Sequence, residues 1–164
     1  MSHLPHPDNP AVMVSCGVIT VSDTRTIDTD HSGQLIQQAL KQAGHTIAHY
    51  AIVPDEPEQI RAQLANLADV DAVILSGGTG IAPRDTTYDV IEQLLEKTLP
   101  GFGEIFRSLS YAEIGSRAMA SRAIAGVYSG KLVFSLPGSS NAVKLAIEQL
   151  ILPELIHLVT QMKK

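Results

Sequence analysis

The sequence predicts an α/β protein of three layers, an α/β/α sandwich built on a largely parallel sheet. Three observations carry that expectation. Short β-branched and aliphatic runs alternate with longer segments of helical periodicity. The strand-like runs hold few polar residues, as strands buried on both faces do. Turn residues cluster where those runs end, in "SDTRTIDTDHSG", "PDEP", "SGGTGIAPRD" and "LPGSSN".

In chain order, "MVSCGVITV" (13–21) reads as the first buried strand. The polar loop after it leads into a helix over 34–44, where Leu35, Ile36, Ala39, Leu40 and Ala43 share a face and Gly44 is a natural stop. "TIAHYAIV" (46–53) is the second strand. A helix over 58–68 follows, with Ile60, Leu64 and Leu67 inward. "DAVILS" (71–76) is a third buried strand that opens into the glycine loop, and 86–98 is the next helix. Residues 101–127 read as two short helices with breaks near Gly115 and Gly126. "YSGKLVFSLPG" (128–138) reads as a turn plus a strand, or a hairpin around Ser129-Gly130. The last segment, 139–162, is helical, and Pro153 should end or kink it after Ile151. Parallel strands would bring the four loops onto one rim, where sheets of this kind place their ligands.

Composition narrows the function classes. The 164 residues fit a flexible lead-in over 1–12, with three prolines in its first eleven positions, and one domain over 13–164. Twelve Lys and Arg against 17 Asp and Glu argue against a nucleic-acid-coating protein. No run reaches the length of a membrane helix, and the N-terminal stretch lacks the pattern of a signal peptide, so a cytoplasmic protein is expected. The single Cys16 excludes an internal disulfide and, inside an apolar strand, reads as a buried thiol. The six histidines form no metal-ligand set, since His45 and His49 straddle a helix end and a strand.

The chemistry is expected on the loops. In "VILSGGTGIAPRD", Ser76 ends a strand, and Gly77, Gly78, Thr79 and Gly80 form a turn whose backbone N–H groups suit an anion. The glycines equally suit a plain strand-to-helix turn capped by Asp85 or Thr86. The sequence is neither Gly-x-Gly-x-x-Gly nor a Walker A loop. Pro137-Gly138 repeats the device, with Ser139 or Ser140 capping the next helix. Asp85, just beyond the glycine loop, and Asp55, in "VPDE", are a carboxylate pair of the kind that holds Mg²⁺ against a polyphosphate. Asp30, beside "HSG", is the best of the aspartates on the first rim loop.

Taken together, "ITVSDT", "DTDHSG", "VPDEPEQIR", "SGGTGIAPRD" and "LPGSSNAV" at these separations closely resemble the MoaB/MogA family of molybdenum cofactor biosynthesis proteins. The resemblance runs from about Met13 to Met162, and the segment 101–127 resembles the MoaB branch. It implies a three-layer α/β fold in trimers or hexamers, and contact with other proteins of cofactor biosynthesis. It also implies binding of molybdopterin, a pterin with a dithiolene and a terminal phosphate, and transfer of AMP to that phosphate from ATP with Mg²⁺. On it, the two family aspartates fall on Asp55 and Asp85, and the substrate contacts on Asp30, Ser32, Ser76 to Gly80, Arg84, Pro137, Gly138 and Ser139 or Ser140. Some MoaB proteins lack the transferase and carry altered residues at the two aspartates; both are present here. A non-catalytic molybdopterin-binding or scaffold role is the alternative. Subunit contacts are expected through 103–126, where Arg122 is the only charge between Ala118 and Val127.

Overall fold

The computed structural model describes residues 8, 9 and 11–164, so most of the expected lead-in lies outside the described residues. Six strands form one sheet in the order β2-β1-β3-β6-β5-β4. They are β1 (Ser15–Val21), β2 (Thr46–Val53), β3 (Ala72–Ser76), β4 (Lys97–Thr98), β5 (Ile124–Tyr128) and β6 (Lys131–Leu136). The four strands β2, β1, β3 and β6 run parallel, as expected, while β5 and β4 each run antiparallel to their neighbour. The helices are α1 (His31–Gln42), α2 (Pro57–Ala65), α3 (Thr87–Leu94), α4 (Pro100–Ile114), α5 (Ser140–Ala146) and α6 (Leu152–Met162).

Alternation along the strands divides the core in two. Cys16, Val18, Ile74 and Phe134 face α1, α4, α5 and α6, whose Ile36, Phe106, Val143 and Leu155 meet them. Ile19, Val73, Leu75 and Val133 face α2 and α3, whose Ile60, Leu64, Val90 and Ile91 cover the other side. Successive strand residues point to opposite faces, so strands that are apolar throughout need helices on both. Cys16 is fully buried, and burial pushes its thiol up to about 12, with Asp71 adding to the shift.

The structure departs from the sequence reading in the second half. Gly115 does end α4, at a φ of 66°, and a 3-10 turn over Gly115–Ala120 follows. Gly126 breaks no helix, because it lies within β5. A Cβ there would sit 2.1 Å from the carbonyl oxygen of Lys97, so the glycine admits a neighbouring strand. That neighbour, β4, comes from the end of the expected 86–98 helix. Glu96 and Leu99 donate backbone N–H bonds to Val127 and Ala125, and α3 stops at Leu94 to allow them. The Ser129-Gly130 hairpin is present, with φ of 48° and 71°, the two positive values of a tight primed turn. Pro153 does not end the helical segment, but an irregularity does fall at the expected place: α6 starts afresh at Leu152, after Ile151, with Pro153 in its first turn. A wider π-helical turn, Ile147–Ile151, precedes it and accommodates the missing N–H.

Candidate functional site

The rim forms where the parallel strands end. Between β1 and β3 the chain crosses from one face of the sheet to the other, the arrangement that opens a crevice at the carboxyl ends of strands. A cleft of roughly 210 Å³ lies there, between Thr20, Ser76 and Gly77 on one side and Ser32, Gly138 and Ser140 on the other.

The cleft wall is held by hydrogen bonds across the chain. Asp30 caps α1, its Oδ1 accepting from Gly33 N–H at 3.0 Å. Its Oδ2 accepts from Thr20 Oγ1 at 2.6 Å and from the Tyr50 hydroxyl. Burial, reinforced by that bond to Asp30, holds the Tyr50 phenol above its usual range. Asp30 is 2% exposed, and both its oxygens are engaged inside the protein. Gly33 is needed beside it, because a Cβ would lie 2.1 Å from Asp30 Oδ2. Ser32 Oγ donates to the Gly138 carbonyl at 2.8 Å and lies 3.5 Å from Ser140 Oγ, so the start of α1 is tied to the Pro137-Gly138 turn. Ser139 caps α5, accepting from Ala142 N–H at 3.3 Å. Ser76 Oγ, on a residue 1% exposed, has no hydrogen-bond partner among the described residues.

The glycine loop answers to the protein's own atoms first. Gly77 has φ 100°, and a Cβ on it would meet the Val21 carbonyl oxygen at 2.2 Å. Gly78, at φ 67°, would meet Thr87 Oγ1 at 2.1 Å and Asp55 Oδ2 at 2.3 Å. Gly80 lies against the Asp85 carboxylate, 2.7 Å from where its Cβ would be. Glycine is thus required at 77 and 78 by steric fit to β1, to the loop after β2 and to α3, apart from any ligand. The loop still presents free donors: among the described residues no protein acceptor takes the N–H of Gly78, Thr79 or Gly80. Thr79 is buried.

The two aspartates flank this loop differently. Asp55, 5% exposed, accepts at Oδ1 from Thr86 N–H at 3.1 Å, Thr86 Oγ1 at 2.6 Å and, more weakly, Thr87 Oγ1 at 3.4 Å. Asp55, and neither Asp85 nor Thr86, thereby holds the entry to α3, whose own cap makes no side-chain bond. Among the described residues no hydrogen bond reaches Asp55 Oδ2 or the half-buried Asp85 carboxylate. Arg84 lies across the rim in ion pairs, bidentate to Asp23 at 2.7 and 2.8 Å and joined to Glu56. The Arg84 hydrogen bond, followed by one from the Asp55 N–H, holds Asp23 below the usual carboxylate range.

Sequence reasoning singled out neither Tyr50 nor Arg122 as a site residue. Arg122 donates to the Gly80 carbonyl at 3.0 Å, pairs with Asp89 at 2.5 Å and lies 4.3 Å from the centre of the Tyr88 ring. Its isolation as the one charge between Ala118 and Val127 was the available signal. No three His, Cys, Asp or Glu side chains converge as a metal cluster among the described residues.

Fold and rim together define a doubly wound α/β protein whose candidate site lies at the switch point of its sheet. Residues 17–157 match the family described as a probable molybdopterin binding domain. Over all of this chain and 99% of its own length, the Molybdenum cofactor biosynthesis protein B of Bacillus subtilis is 55% identical. A crystal structure of a molybdenum cofactor biosynthesis protein B superposes with a TM-score of 0.89 at 52% identity, covering 93% of this chain and 97% of that one. The tungsten cofactor synthesizing protein MoaB from Pyrococcus furiosus gives 0.85 at 38% identity, with 93% and 98% covered. The chain belongs to the MoaB/MogA family of molybdenum cofactor biosynthesis proteins, on its MoaB branch.

Proposed function

We propose that this protein binds molybdopterin and transfers AMP from ATP to its terminal phosphate. The observation that carries the reading is the meeting of two half-sites across one peptide bond. Gly77 lines the cleft beside Ser76 and Gly138, and Gly78 rests on Asp55. One half offers hydroxyls suited to a phosphate that must be held still. The other offers carboxylates and free backbone N–H groups suited to a nucleotide triphosphate.

In the reaction, an oxygen of the pterin's terminal phosphate attacks the α-phosphorus of ATP. A new P–O bond forms, the bond to the β-phosphate bridging oxygen breaks, and pyrophosphate leaves with that electron pair. Nothing in this exchange needs a protein nucleophile; positioning and charge neutralisation suffice. Ser76 and Ser140 orient the pterin phosphate while Ser32 fixes the Gly138 turn beside them, and the N–H groups of Gly78, Thr79 and Gly80 receive charge on the triphosphate.

The donor set fits Mg²⁺. Asp55 Oδ2 and the Asp85 carboxylate are hard oxygens with no protein donor upon them among the described residues, and magnesium ordinarily takes one or two carboxylates with substrate phosphates completing its shell. Bound there, the ion would neutralise phosphate charge as the α-phosphorus is attacked. Asp55 and Asp85 would hold it.

The test is incubation with molybdopterin, Mg²⁺ and ATP labelled at the α-phosphate. Label appearing on the pterin, with one pyrophosphate released per transfer, is the expected result. Tight pterin binding with no transfer would favour the non-catalytic binding role.

A further inference from the structure

We propose that Arg25 is a specificity-determining residue of the cleft: its guanidinium selects the phosphate-bearing, doubly charged form of the pterin ligand. The inference rests on the molybdopterin reading above and names the charge that reading lacks. Three arginines stand at this rim, and two are neutralised. Arg84 is held by Asp23 and Glu56, and Arg122 by Asp89. Arg25 has no carboxylate partner among the described residues; its side chain makes one long contact, 3.5 Å from Nη1 to the Thr29 carbonyl oxygen.

The backbone of Arg25 is held by hydrogen bonds, while its side chain makes only that one long contact among the described residues. Ser22 Oγ accepts from the N–H groups of Thr24 at 3.2 Å and Arg25 at 3.0 Å, a local turn that sets the residue beside the cleft. Among the described residues Arg25 is the only Lys or Arg lining that cleft. The only carboxylate there among the described residues, Asp30, is saturated by Thr20, Tyr50 and Gly33 and does not compete for the guanidinium. His31, the other titratable group on the wall, opens α1.

A second, independent observation points to an anionic oxygen in the same place. Ser76 Oγ is buried in the cleft lining without a partner among the described residues, a state that costs stability unless something supplies an acceptor or a donor. A phosphate monoester meets both needs. Its oxygens accept from the hydroxyl, and its two charges, complete above a second pKa of about 6, pair with a guanidinium that hydrogen-bonds in a fork.

The test uses inorganic phosphate as the calorimetric probe against wild type, Arg25→Gln, Arg25→Lys and the charge-matched Arg61→Gln on α2. Arg25→Gln should weaken phosphate by about ten-fold or more, the scale of a lost charge-assisted hydrogen bond. Arg25→Lys should recover part of it, and Arg61→Gln should stay within about two-fold of wild type. In the transfer assay Arg25→Gln should raise KM for molybdopterin with kcat nearly unchanged, the mark of lost ground-state binding. Equal phosphate affinity in wild type and Arg25→Gln, or none in wild type, overturns the inference. If phosphate binding depends on Arg25 but no AMP is transferred, the transferase reading fails and this one stands.

Discussion

Replacing Gly78 by alanine tests whether the glycine loop and Asp55 form one unit. The new Cβ would stand 2.3 Å from Asp55 Oδ2 and 2.1 Å from Thr87 Oγ1, so the carboxylate must retreat by more than 1 Å to reach ordinary contact. Retreat breaks its two good bonds to Thr86, at 3.1 and 2.6 Å, each worth about 1.5–3 kcal/mol for a charged acceptor. The φ of 67° adds about 1–2 kcal/mol of left-handed strain for any residue with a Cβ. The total is about 4–6 kcal/mol after partial relaxation, a large share of the roughly 5–15 kcal/mol that holds a domain folded. At about 2–4 °C per kcal/mol, Tm should fall by roughly 10–20 °C. Gly44→Ala isolates the strain, because Gly44 has φ 89° and, among the described residues, no neighbouring atom within 4 Å of its Cβ position. That control should cost only about 1–2 kcal/mol, or roughly 2–8 °C. Scanning calorimetry of the three proteins decides it. A Gly78→Ala variant that melts no lower than Gly44→Ala would refute the packing argument.

Three other outcomes follow from the same geometry. Asp55→Asn keeps an oxygen toward Thr86 but turns charge-assisted bonds into neutral ones, so it should lose about 1–2 kcal/mol of stability and most of its transfer rate; urea melts and the labelled-ATP assay read the two separately. Buried His45 accepts the Val14 N–H at Nδ1, 3.1 Å away, and burial holds its pKa below the ordinary 6.5. The unfolded chain therefore protonates first, so this contribution is complete above that value and declines as pH falls below it. Urea midpoints at about pH 7.5 and about pH 5.5 should differ less in His45→Asn than in wild type, and an equal difference would contradict the assignment. Ile105, Tyr111, Ile114 and Met119 stand more than half exposed along α4 and the turn after it, a face suited to pairing with further copies. Light scattering should give a homo-oligomer, trimer or hexamer, and a 17.6 kDa monomer would sink that proposal.

The strands that sequence reveals best are those whose burial leaves no choice. β1, β3 and β6 are apolar runs covered on both faces, and composition alone marks them. β4 is two exposed residues, Lys97 and Thr98, with no pattern to read; it exists because β5 offers an unpaired edge. β5 was hidden behind Gly126, whose meaning depends on a carbonyl contributed from 29 residues earlier. The site divides the same way. Loops at strand ends and the candidate aspartates were legible from residue type and spacing. The reason for Gly77 and Gly78 was not, since Val21, Asp55 and Thr87 come from other elements. Nor was the bond from Ser32 to Gly138, which closes the cleft across 106 residues.

The proposed division of labour gives the pterin phosphate to the cleft and the nucleotide to Asp55 and Asp85. Asp85→Asn tests it most directly, because no hydrogen bond reaches the Asp85 carboxylate among the described residues and its loss should leave Tm almost unchanged. Measured on one preparation, the rate of AMP transfer should fall by about a hundred-fold or more while molybdopterin affinity stays within about two-fold. A variant that transfers AMP at the wild-type rate, or one that loses pterin binding and transfer together, would contradict the account.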